Sequence, residues 1–186
     1  PLMDSHDNIT SHLMGISTRI PNLIEKNLKL AFVFDGKPPS LKIHEKEQRE
    51  HRKQLAEERL EKAKEEGDEE LMLKYSKQTS RLNFKMVDEA KELIKAFGLP
   101  VIQAPSEAEA QCSFMAEKGD VYAVASSDYD SLLYSAPRII RNLTLSQRRK
   151  IRNIYVTINP ELIELKEVLK ELKLNQDQLI ILAIIV

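Results

Sequence analysis

The chain has 186 residues, of which 42% are hydrophobic and 31% are charged, and its formal net charge is -1. These values predict a soluble globular protein and exclude a membrane-spanning one, because no run reaches the roughly 18 to 20 uninterrupted apolar residues of a transmembrane helix. A pI near 6.6 argues weakly against a nucleic-acid-binding domain, unless basic and acidic residues are segregated along the chain.

The single cysteine and the two ends of the chain indicate the cellular compartment of the protein and whether the chain is part of a longer one. Cys112 cannot form an internal disulfide, which fits a reducing compartment and predicts a packed thiol rather than a reactive one. The start has no basic-then-apolar signal pattern, so we expect a cytoplasmic or nuclear protein. Because the chain starts at Pro1 and ends within the apolar run LIILAIIV, we also expect an internal portion of a longer protein.

The first predicted elements are a helix and a strand. Thr10 or Ser11 could cap a helix whose apolar residues recur at helical spacing. Pro21 should kink or restart that helix, because an interior proline lacks the N–H of a helical hydrogen bond. The run LKLAFVFD is apolar and rich in strand formers, which predicts a strand buried on both faces that ends at Asp35.

Residues 40 to about 97 are predicted to form two long helices. The part from 40 to 84 consists mostly of charged helix formers, and Gly67 and Asp68 should break it into a hairpin. Because this hairpin has few apolar residues, we expect it to bury little surface and to project from the body. The second helix should continue through MVDEAKELIKAFG, whose apolar face packs on the core, and end at Gly98.

Strands and helices alternate in the rest of the chain. Strands are predicted for residues 99–104 and 121–128 and for the runs RIIRNL and NIYVTI. Helices are predicted after Ser106 and for the runs PELIELKEVLKEL and NQDQLIILAIIV. This alternation predicts an α/β fold with a mostly parallel central sheet flanked by helices.

Acidic residues follow each of the three apolar strand candidates. They are Asp35, the pair Glu107 and Glu109, and the pair Asp128 and Asp130. Because functional groups gather beyond the carboxyl ends of parallel strands, these carboxylates converge if the strands are adjacent. Two unit charges about 4 Å apart repel by about 4 kcal/mol at an effective dielectric constant of about 20, so such a cluster raises pKa values or binds cations. Oxygen ligands alone favour Mg²⁺ or Mn²⁺.

Each acid also has a purely structural interpretation. Ser106 and Glu109 fit the capping-box pattern, and Glu107 in a first helical turn would favour the helix dipole. The acids after the first and third strands are ordinary turn residues. We favour a metal site because all three groups share one predicted location, which independent capping would not require. Four histidines show no ligand spacing with these acids, and we expect them to be surface residues: His6, His12, His44 and His51.

The segments VFDGKPP, QAPSEAEAQC and ASSDYDSLL occur in this order, with the charged hairpin between the first and the second. In this arrangement the chain resembles the flap endonuclease family of structure-specific 5′ nucleases, and other segments, such as ITSHL and RNLTLS, are similar to its archaeal branch. The resemblance implies a PIN-like 5′ nuclease fold. It also implies an Mg²⁺-dependent enzyme, with Mn²⁺ as a substitute, that cuts DNA at the base of 5′ flaps in replication and repair and has 5′–3′ exonuclease activity.

The resemblance also implies roles for individual residues. Lys42 and Arg49 match basic residues that face the scissile phosphate, and Ser11 and His12 match the start of a helix near bound DNA. The hairpin is similar to the helical arch through which the flap passes. The family's carboxylates, which hold two metal ions about 4 Å apart, are matched by Asp35, Glu107, Glu109, Asp128 and Asp130.

Some features of the family have no counterpart in this sequence. They are a carboxylate from a strand before Pro1, another from beyond Val186, a duplex-binding region and a C-terminal tail that docks on the sliding clamp. The connection near Arg149 is also shorter than usual. We therefore expect 1–186 to be a partial nuclease domain with an arch at 40–84, nearly inactive on flap DNA by itself.

Two other functions remain open from the sequence. One is a non-catalytic DNA-binding or scaffold module whose acids only cap helices. The other is a related metal-dependent RNA nuclease, against which the long charged hairpin argues. For the flap endonuclease interpretation, we expect a cytoplasmic location in an archaeon and a nuclear one in a eukaryote.

Overall fold

The computed structural model describes residues 2–6, 8–78, 82–143, 148–151 and 154–185. Helices and short strands alternate along the chain, which confirms the predicted α/β class. Across these ranges, no helix combines the length and apolar character needed to cross a membrane. The elements in chain order are α1 (Ser11–Glu25), β1 (Phe32–Phe34), α2 (Ile43–Glu66), α3 (Glu69–Gln78), α4 (Phe84–Ala96), β2 (Val101–Gln103), α5 (Ala108–Lys118), β3 (Val124–Ala125), α6 (Asp130–Leu133), β4 (Arg138–Arg141), β5 (Arg148–Ile151), β6 (Ile154–Thr157), β7 (Glu161–Glu164), α7 (Leu165–Leu172) and α8 (Gln176–Ile185).

The chain divides into two compact units. One is formed by Pro1–Lys37 together with Lys91–Val186, and it carries strands β1 to β7. The other is Pro38–Ala90, which contains the charged helices α2 and α3. The acids predicted as metal ligands therefore belong to the first unit, and the predicted arch belongs to the second.

Helix α1 begins after Thr10, as predicted, although no side-chain hydrogen bond caps it. The predicted restart at Pro21 is wrong, because the helix continues past this residue to Glu25. Ile20, beside the proline, is only 2% exposed. Burial of this apolar side chain offsets the hydrogen bond that the proline cannot donate.

The first strand pair is parallel, with Phe32 opposite Val101 and Phe34 opposite Gln103. Both β1 and β2 are three residues long, shorter than predicted. The prediction that the first strand is buried on both faces is wrong, because all three residues of β1 are partly exposed. Each strand of a two-stranded sheet has one unpaired edge, so neighbouring strands do not enclose its side chains on both sides.

The second sheet has three strands in the order β3-β4-β7. The pair β3–β4 is parallel, as predicted, whereas β4–β7 is antiparallel. The predicted helix PELIELKEVLKEL is wrong in its first part, because Glu161–Glu164 form β7 and the helix begins only at Leu165. Ile163 of this strand lies opposite Ile139, which is fully buried. Pairing with a core strand thus overrides the local helical pattern.

Strands β5 and β6 pair antiparallel as a separate ribbon. Strand β6 was predicted from the run NIYVTI, whereas β5 was not predicted. The connection near Arg149, predicted to be shortened, includes residues 144–147 and 152–153, which lie outside the described residues.

The second unit contains the predicted hairpin. Gly67 ends α2 with φ 71°, and the carboxylate of Asp68 accepts a hydrogen bond of 3.0 Å from the N–H of Leu71 at the start of α3. The predicted break at Gly67 and Asp68 is therefore confirmed. One feature was not predicted from the charged composition: α2 and α3 pack against each other. Ala56 and Ala63 of α2 are only 4% and 2% exposed.

The second helix of the predicted pair does not continue to Gly98. Helix α3 ends at Gln78, and a separate helix α4 begins at Phe84; residues 79–81 lie outside the described residues. The side chain of Asn83 accepts a hydrogen bond of 2.8 Å from the N–H of Met86, which provides a new helix start. Helix α4 ends before Gly98, where the backbone has φ +74°, as predicted.

The core that positions the candidate site lies around α5. Buried Ala116, Val124 and Ala136 form one apolar cluster, and Cys112 and Val121 pack against it. Helix α5 also contacts β1, β3 and α6. One helix therefore touches the strands and the turn that carry Asp35, Asp128 and Asp130.

Candidate metal and catalytic site

Asp35 follows the last residue of β1 and lies at the N-terminus of α5. Its Oδ1 accepts a hydrogen bond of 2.8 Å from the backbone N–H of Ala108, the first residue of that helix. The next residue, Gly36, donates its N–H to the carbonyl oxygen of Ser106 at 2.5 Å. These two bonds join the end of β1 to the segment that carries Glu107 and Glu109.

The side chain of Gln103 is hydrogen-bonded to the backbone at and just before Asp35. Its side-chain amide donates to the carbonyl oxygens of Phe34 at 3.1 Å and of Asp35 at 2.6 Å. Its Oε1 accepts from Nζ of Lys91 at 2.9 Å, and that ammonium lies 5.2 Å from the centre of the Phe34 ring. Neither Gln103 nor Lys91 was predicted as a site residue, because neither stands in a recognisable local pattern.

Glu107 and Glu109 both occupy the start of α5. Glu107 is the N-cap residue, with an extended backbone, and its Oε2 accepts a hydrogen bond of 2.9 Å from the hydroxyl of Tyr134. Glu109 lies in the first turn, and its Oε1 accepts a hydrogen bond of 2.8 Å from the hydroxyl of Ser126. Two polar groups from outside the helix therefore orient these carboxylates.

The predicted capping box at the start of α5 is wrong. Ser106 is not the N-cap residue, and its buried hydroxyl oxygen has no hydrogen-bond partner among the described residues. The carboxylate of Glu109 is bonded to Ser126 instead of reaching back along the chain. Asp35 caps the helix in place of Ser106, which is a contact between distant parts of the chain.

Asp128 and Asp130 stand in the turn after β3. The N–H of Asp128 donates to the hydroxyl oxygen of Ser126 at 3.1 Å, and Asp130 is the first residue of α6. Both residues are exposed. Within the described part of the chain, neither carboxylate accepts a hydrogen bond or forms an ion pair. No described side chain therefore forms an ion pair with either of these exposed carboxylates.

Arg141, at the end of β4, holds the same turn from the other side. Its Nε donates to the carbonyl oxygen of Ser127 at 3.2 Å, and its guanidinium lies 4.3 Å from the centre of the Tyr129 ring and bonds to the Tyr129 hydroxyl. Glu161 of β7 lies 3.9 Å from the same guanidinium. The turn that carries Asp128 and Asp130 is thereby attached to β4.

The pKa of the Cys112 thiol is affected by burial and by the negative charges near α5. Burial raises the pKa of this thiol above its ordinary value of 9.0, and the negative charges of Glu109 and Asp35 raise it further. The thiol is thus protonated at neutral pH, which agrees with the predicted packed cysteine. Two of the predicted metal ligands, Glu109 and Asp35, therefore act on the same partly buried thiol.

The five acids lie at the start of α5 and in the turn after β3, without forming a closed ligand shell among the described residues. Asp35, Glu107 and Glu109 share the N-terminus of α5, and Ser126 connects Glu109 to the backbone of Asp128. No group of three acidic, histidine or cysteine side chains among the described residues is close enough to hold a metal ion. Carboxylate oxygens are the ligands that hard divalent cations prefer. In these positions, however, the acids could supply only some of the ligands of such a cation.

Lys42 and Arg49, which have predicted catalytic roles, are carried by the second unit. Lys42 ends a 3-10 turn at Ser40–Lys42, and the guanidinium of Arg49 pairs with Glu45 on α2. Both belong to the unit Pro38–Ala90.

Ser11 and His12 belong to the unit of the acids, at the start of α1. The hydroxyl of Ser11 accepts a hydrogen bond of 2.7 Å from the N–H of Leu2. His12 is partly buried, whereas the other three histidines are exposed, as predicted: His6, His44 and His51. The DNA-facing roles of Lys42, Arg49, Ser11 and His12 stay predictions.

Solved structures with the same arrangement define the class of fold. A flap endonuclease-1 from Methanococcus jannaschii is 43% identical and superposes with a TM-score of 0.67 over 97% of this chain and 54% of its own. The catalytic core of Rad2 in complex with DNA substrate is 28% identical, with a TM-score of 0.63 over 96% of this chain and 46% of its own. The fold is therefore that of the PIN-like 5′ nucleases.

Sequence comparison defines the family within that class. The family model of the XPG N-terminal domain matches residues 2–56, and that of the XPG I-region matches residues 98–186. Flap endonuclease 1 of Pyrococcus furiosus is 52% identical over 100% of this chain and 55% of its own length. The chain belongs to the flap endonuclease family, as predicted. It spans about half the length of the curated relatives it matches.

Proposed function

We propose that this chain forms part of a structure-specific 5′ flap endonuclease that hydrolyses phosphodiester bonds of DNA in replication and repair. One observation carries the proposal: the chain is 52% identical, over its whole length, to the flap endonuclease 1 of Pyrococcus furiosus. The arrangement of the acids supports it, since three of them surround the start of α5 and two stand exposed in the adjoining turn. A 5′–3′ exonuclease activity belongs to the same proposal.

The proposed partner is DNA with a 5′ flap. The Rad2 core, which is similar to this chain in fold and sequence, was solved with DNA substrate. The net charge of -1 does not oppose this proposal, because the acids around α5 offset basic residues elsewhere in the chain. Docking on a sliding clamp, through a tail beyond this sequence, is a further proposed interaction.

Flap endonucleases are metal-dependent nucleases. We propose two Mg²⁺ ions, with Mn²⁺ as a substitute, held by the five acids predicted from the sequence: Asp35, Glu107, Glu109, Asp128 and Asp130. When bound, such ions lower the pKa of a coordinated water and stabilise the charge of the phosphate and the leaving oxygen.

The chain's own groups prepare this site by orienting carboxylates. The Tyr134 hydroxyl holds one oxygen of Glu107, and the Ser126 hydroxyl holds one oxygen of Glu109. Asp128 and Asp130 remain exposed, so their carboxylates are accessible to a cation from solvent. The proposed role of Lys42 and Arg49 is to neutralise negative charge that develops on the scissile phosphate.

The decisive experiment compares Asp128→Asn with wild type in the full-length protein. Because this change removes the charge of an exposed proposed ligand, we expect cleavage of a 5′-flap DNA to be lost while flap binding is largely retained. Asp120→Asn is the matched control, since Asp120 is an exposed acid at the opposite end of α5, and this variant should cut normally. Wild-type turnover by Asp128→Asn would end the proposal.

A non-catalytic DNA-binding or scaffold module is the competing function. It is favoured by the hydrogen bonds that the carboxylates of Asp35, Glu107 and Glu109 accept within the chain, because a structural role requires them too. A structural Glu109 predicts that Glu109→Gln loses about 1 kcal/mol of stability and keeps full activity. Flap binding without any cleavage by the wild-type protein would establish this alternative.

Two further experiments compare an RNA flap with a DNA flap and the isolated chain with the full-length protein. A matched RNA flap should be cut far more slowly than the DNA flap, and preference for RNA would favour the related RNA nuclease. The isolated 186-residue chain should be nearly inactive in millimolar Mg²⁺, because its described acids do not form a closed ligand shell. Robust cleavage by the isolated chain would show that the acids present suffice.

A further inference from the structure

Ser126 connects two of the acid groups through a single hydroxyl. Its Oγ donates to Oε1 of Glu109 at 2.8 Å and accepts the backbone N–H of Asp128 at 3.1 Å. A serine hydroxyl has one hydrogen to donate and two lone pairs to accept with. Because Asp128 supplies an N–H, the serine hydrogen is available for the carboxylate, and both bonds form at once.

The two bonds join separate elements of the fold. Glu109 lies in the first turn of α5, whereas Asp128 lies in the turn between β3 and α6. Ser126 is partly buried, so water competes with these bonds less than it would at an open surface. This hydroxyl thus links the Glu109 carboxylate directly to the backbone of Asp128.

The attachment of the turn to β4 does not reach Glu109. Arg141 contacts the carbonyl oxygen of Ser127 and the ring of Tyr129, and it joins the turn to β4. Ser113 of α5 donates to the carbonyl oxygens of Glu109 and of Ser131 in α6, and so joins these two stretches of backbone. Among the described contacts, the Ser126 hydroxyl alone bonds both to the Glu109 carboxylate and to the turn that carries the exposed acids. The neighbouring Ser127 is exposed and takes part through its backbone carbonyl only.

We propose that Ser126 is a positioning residue for the reaction, which orients the Glu109 carboxylate and ties it to the backbone of Asp128, so that its loss weakens the binding of a divalent cation. This inference rests on the proposed function. Groups that hydrogen-bond a ligating carboxylate orient it, and their loss typically weakens metal affinity or activity about 10- to 100-fold. Ser126 would act through Glu109 and Asp128 and would not touch the substrate.

The test uses Ser126→Ala in the full-length protein, with Ser127→Ala as the matched control. Mn²⁺ affinity is measured by isothermal titration without DNA, and the Mg²⁺ dependence of flap cleavage is measured in parallel. We expect Ser126→Ala to bind Mn²⁺ about tenfold more weakly or worse and to need correspondingly more Mg²⁺ for half-maximal cleavage. Ser127→Ala should match wild type in both measurements.

Two further variants separate positioning from general destabilisation. Ser126→Thr keeps a hydroxyl, so its Mn²⁺ affinity should stay within about twofold of wild type. This change is much smaller than the roughly tenfold or greater loss expected when the hydroxyl is removed. Ser126→Cys keeps the approximate size but bonds weakly, so it should behave like Ser126→Ala. If Ser126→Ala does not fold, as judged by thermal melting, the comparison of the threonine and cysteine variants decides.

The outcomes distinguish this inference from the proposed function. If wild type cleaves flaps and Ser126→Ala keeps wild-type Mn²⁺ affinity and Mg²⁺ dependence, the positioning role is overturned and the proposed function stands. A lower cleavage rate with unchanged metal dependence would also overturn it. If wild type neither binds Mn²⁺ nor cleaves, both the inference and the proposed function fall.

Discussion

The carboxylate of Asp35 accepts a hydrogen bond of 2.8 Å from the backbone N–H of Ala108, which lies 73 residues later in the chain. A predicted metal ligand is therefore also the cap of helix α5. The two roles are compatible, because a carboxylate has two oxygens and this hydrogen bond uses only Oδ1. Stability and activity should consequently respond differently to changes at this residue.

Substitution of Asp35 by asparagine and by alanine separates these two roles. An asparagine side chain would keep an oxygen for the N–H of Ala108 but lose the charge, so Asp35→Asn should retain stability and lose flap cleavage. Asp35→Ala removes the cap as well and should cost a further ~1 kcal/mol of unfolding free energy. Urea denaturation and cleavage assays of the full-length variants measure the two effects. Full cleavage by Asp35→Asn would show that Asp35 serves only the helix.

The elements that the sequence predicted best are those with a strong local pattern. The apolar runs around β1, β2 and β4 and the turn at Gly67 lie where predicted. The strand at Glu161–Glu164 was missed because its conformation depends on pairing with β4, which no local pattern encodes. The same reason applies to Pro21, since burial of Ile20 keeps the helix intact where propensity alone predicts a restart.

At the candidate site, the sequence identified the acids but not the groups that orient them. Asp35, Glu109 and Asp128 stood out because each follows an apolar run. Ser126 and Tyr134 did not, because their hydrogen bonds to Glu109 and Glu107 join residues 17 and 27 positions apart. The capping box failed for a related reason: a distant carboxylate reached the helix start that the local pattern assigned to a serine.

The raised pKa of Cys112 predicts a slow reaction with alkylating reagents. Burial and the nearby carboxylates keep the thiol protonated, and the thiolate is the reactive form. At pH 8, iodoacetamide should label the folded protein at Cys112 at least about tenfold more slowly than the urea-unfolded protein. Equal rates in the two states would contradict the packed, protonated thiol.

The same pKa shift has a consequence for stability at alkaline pH. Because the folded-state pKa lies above the ordinary value of 9.0, the protonated thiol contributes stability that is fully present below that pH. The contribution is lost as the pH rises through the folded-state pKa. When the pH is raised above 9, the unfolding free energy of Cys112→Ser should therefore fall less than that of wild type.

The charged hairpin should exchange its amide hydrogens faster than the core. Only small side chains, Ala56 and Ala63, are deeply buried in the described parts of α2 and α3, so little apolar burial opposes local opening. Without DNA, amides of these helices should exchange at least about tenfold faster than that of Ile139, which is fully buried in β4. Bound flap DNA should slow them. Equally slow exchange in the free protein would contradict this expectation.

Two glycine substitutions test whether the junction at Asp35 is tightly packed. A Cβ at Gly36 would lie 2.1 Å from the carbonyl oxygen of Ala104, whereas one at Gly15 in α1 would have no atom within 4 Å. Backbone cannot yield as a flexible side chain does, so Gly36→Ala should lose about 3 kcal/mol or more of unfolding free energy. Gly15→Ala should gain about 0.5 to 1 kcal/mol, because alanine favours a helix interior. Urea denaturation of both variants provides the measurement. A small effect at Gly36, comparable in size to that at Gly15, would mean that the end of β1 can move away from the segment before α5.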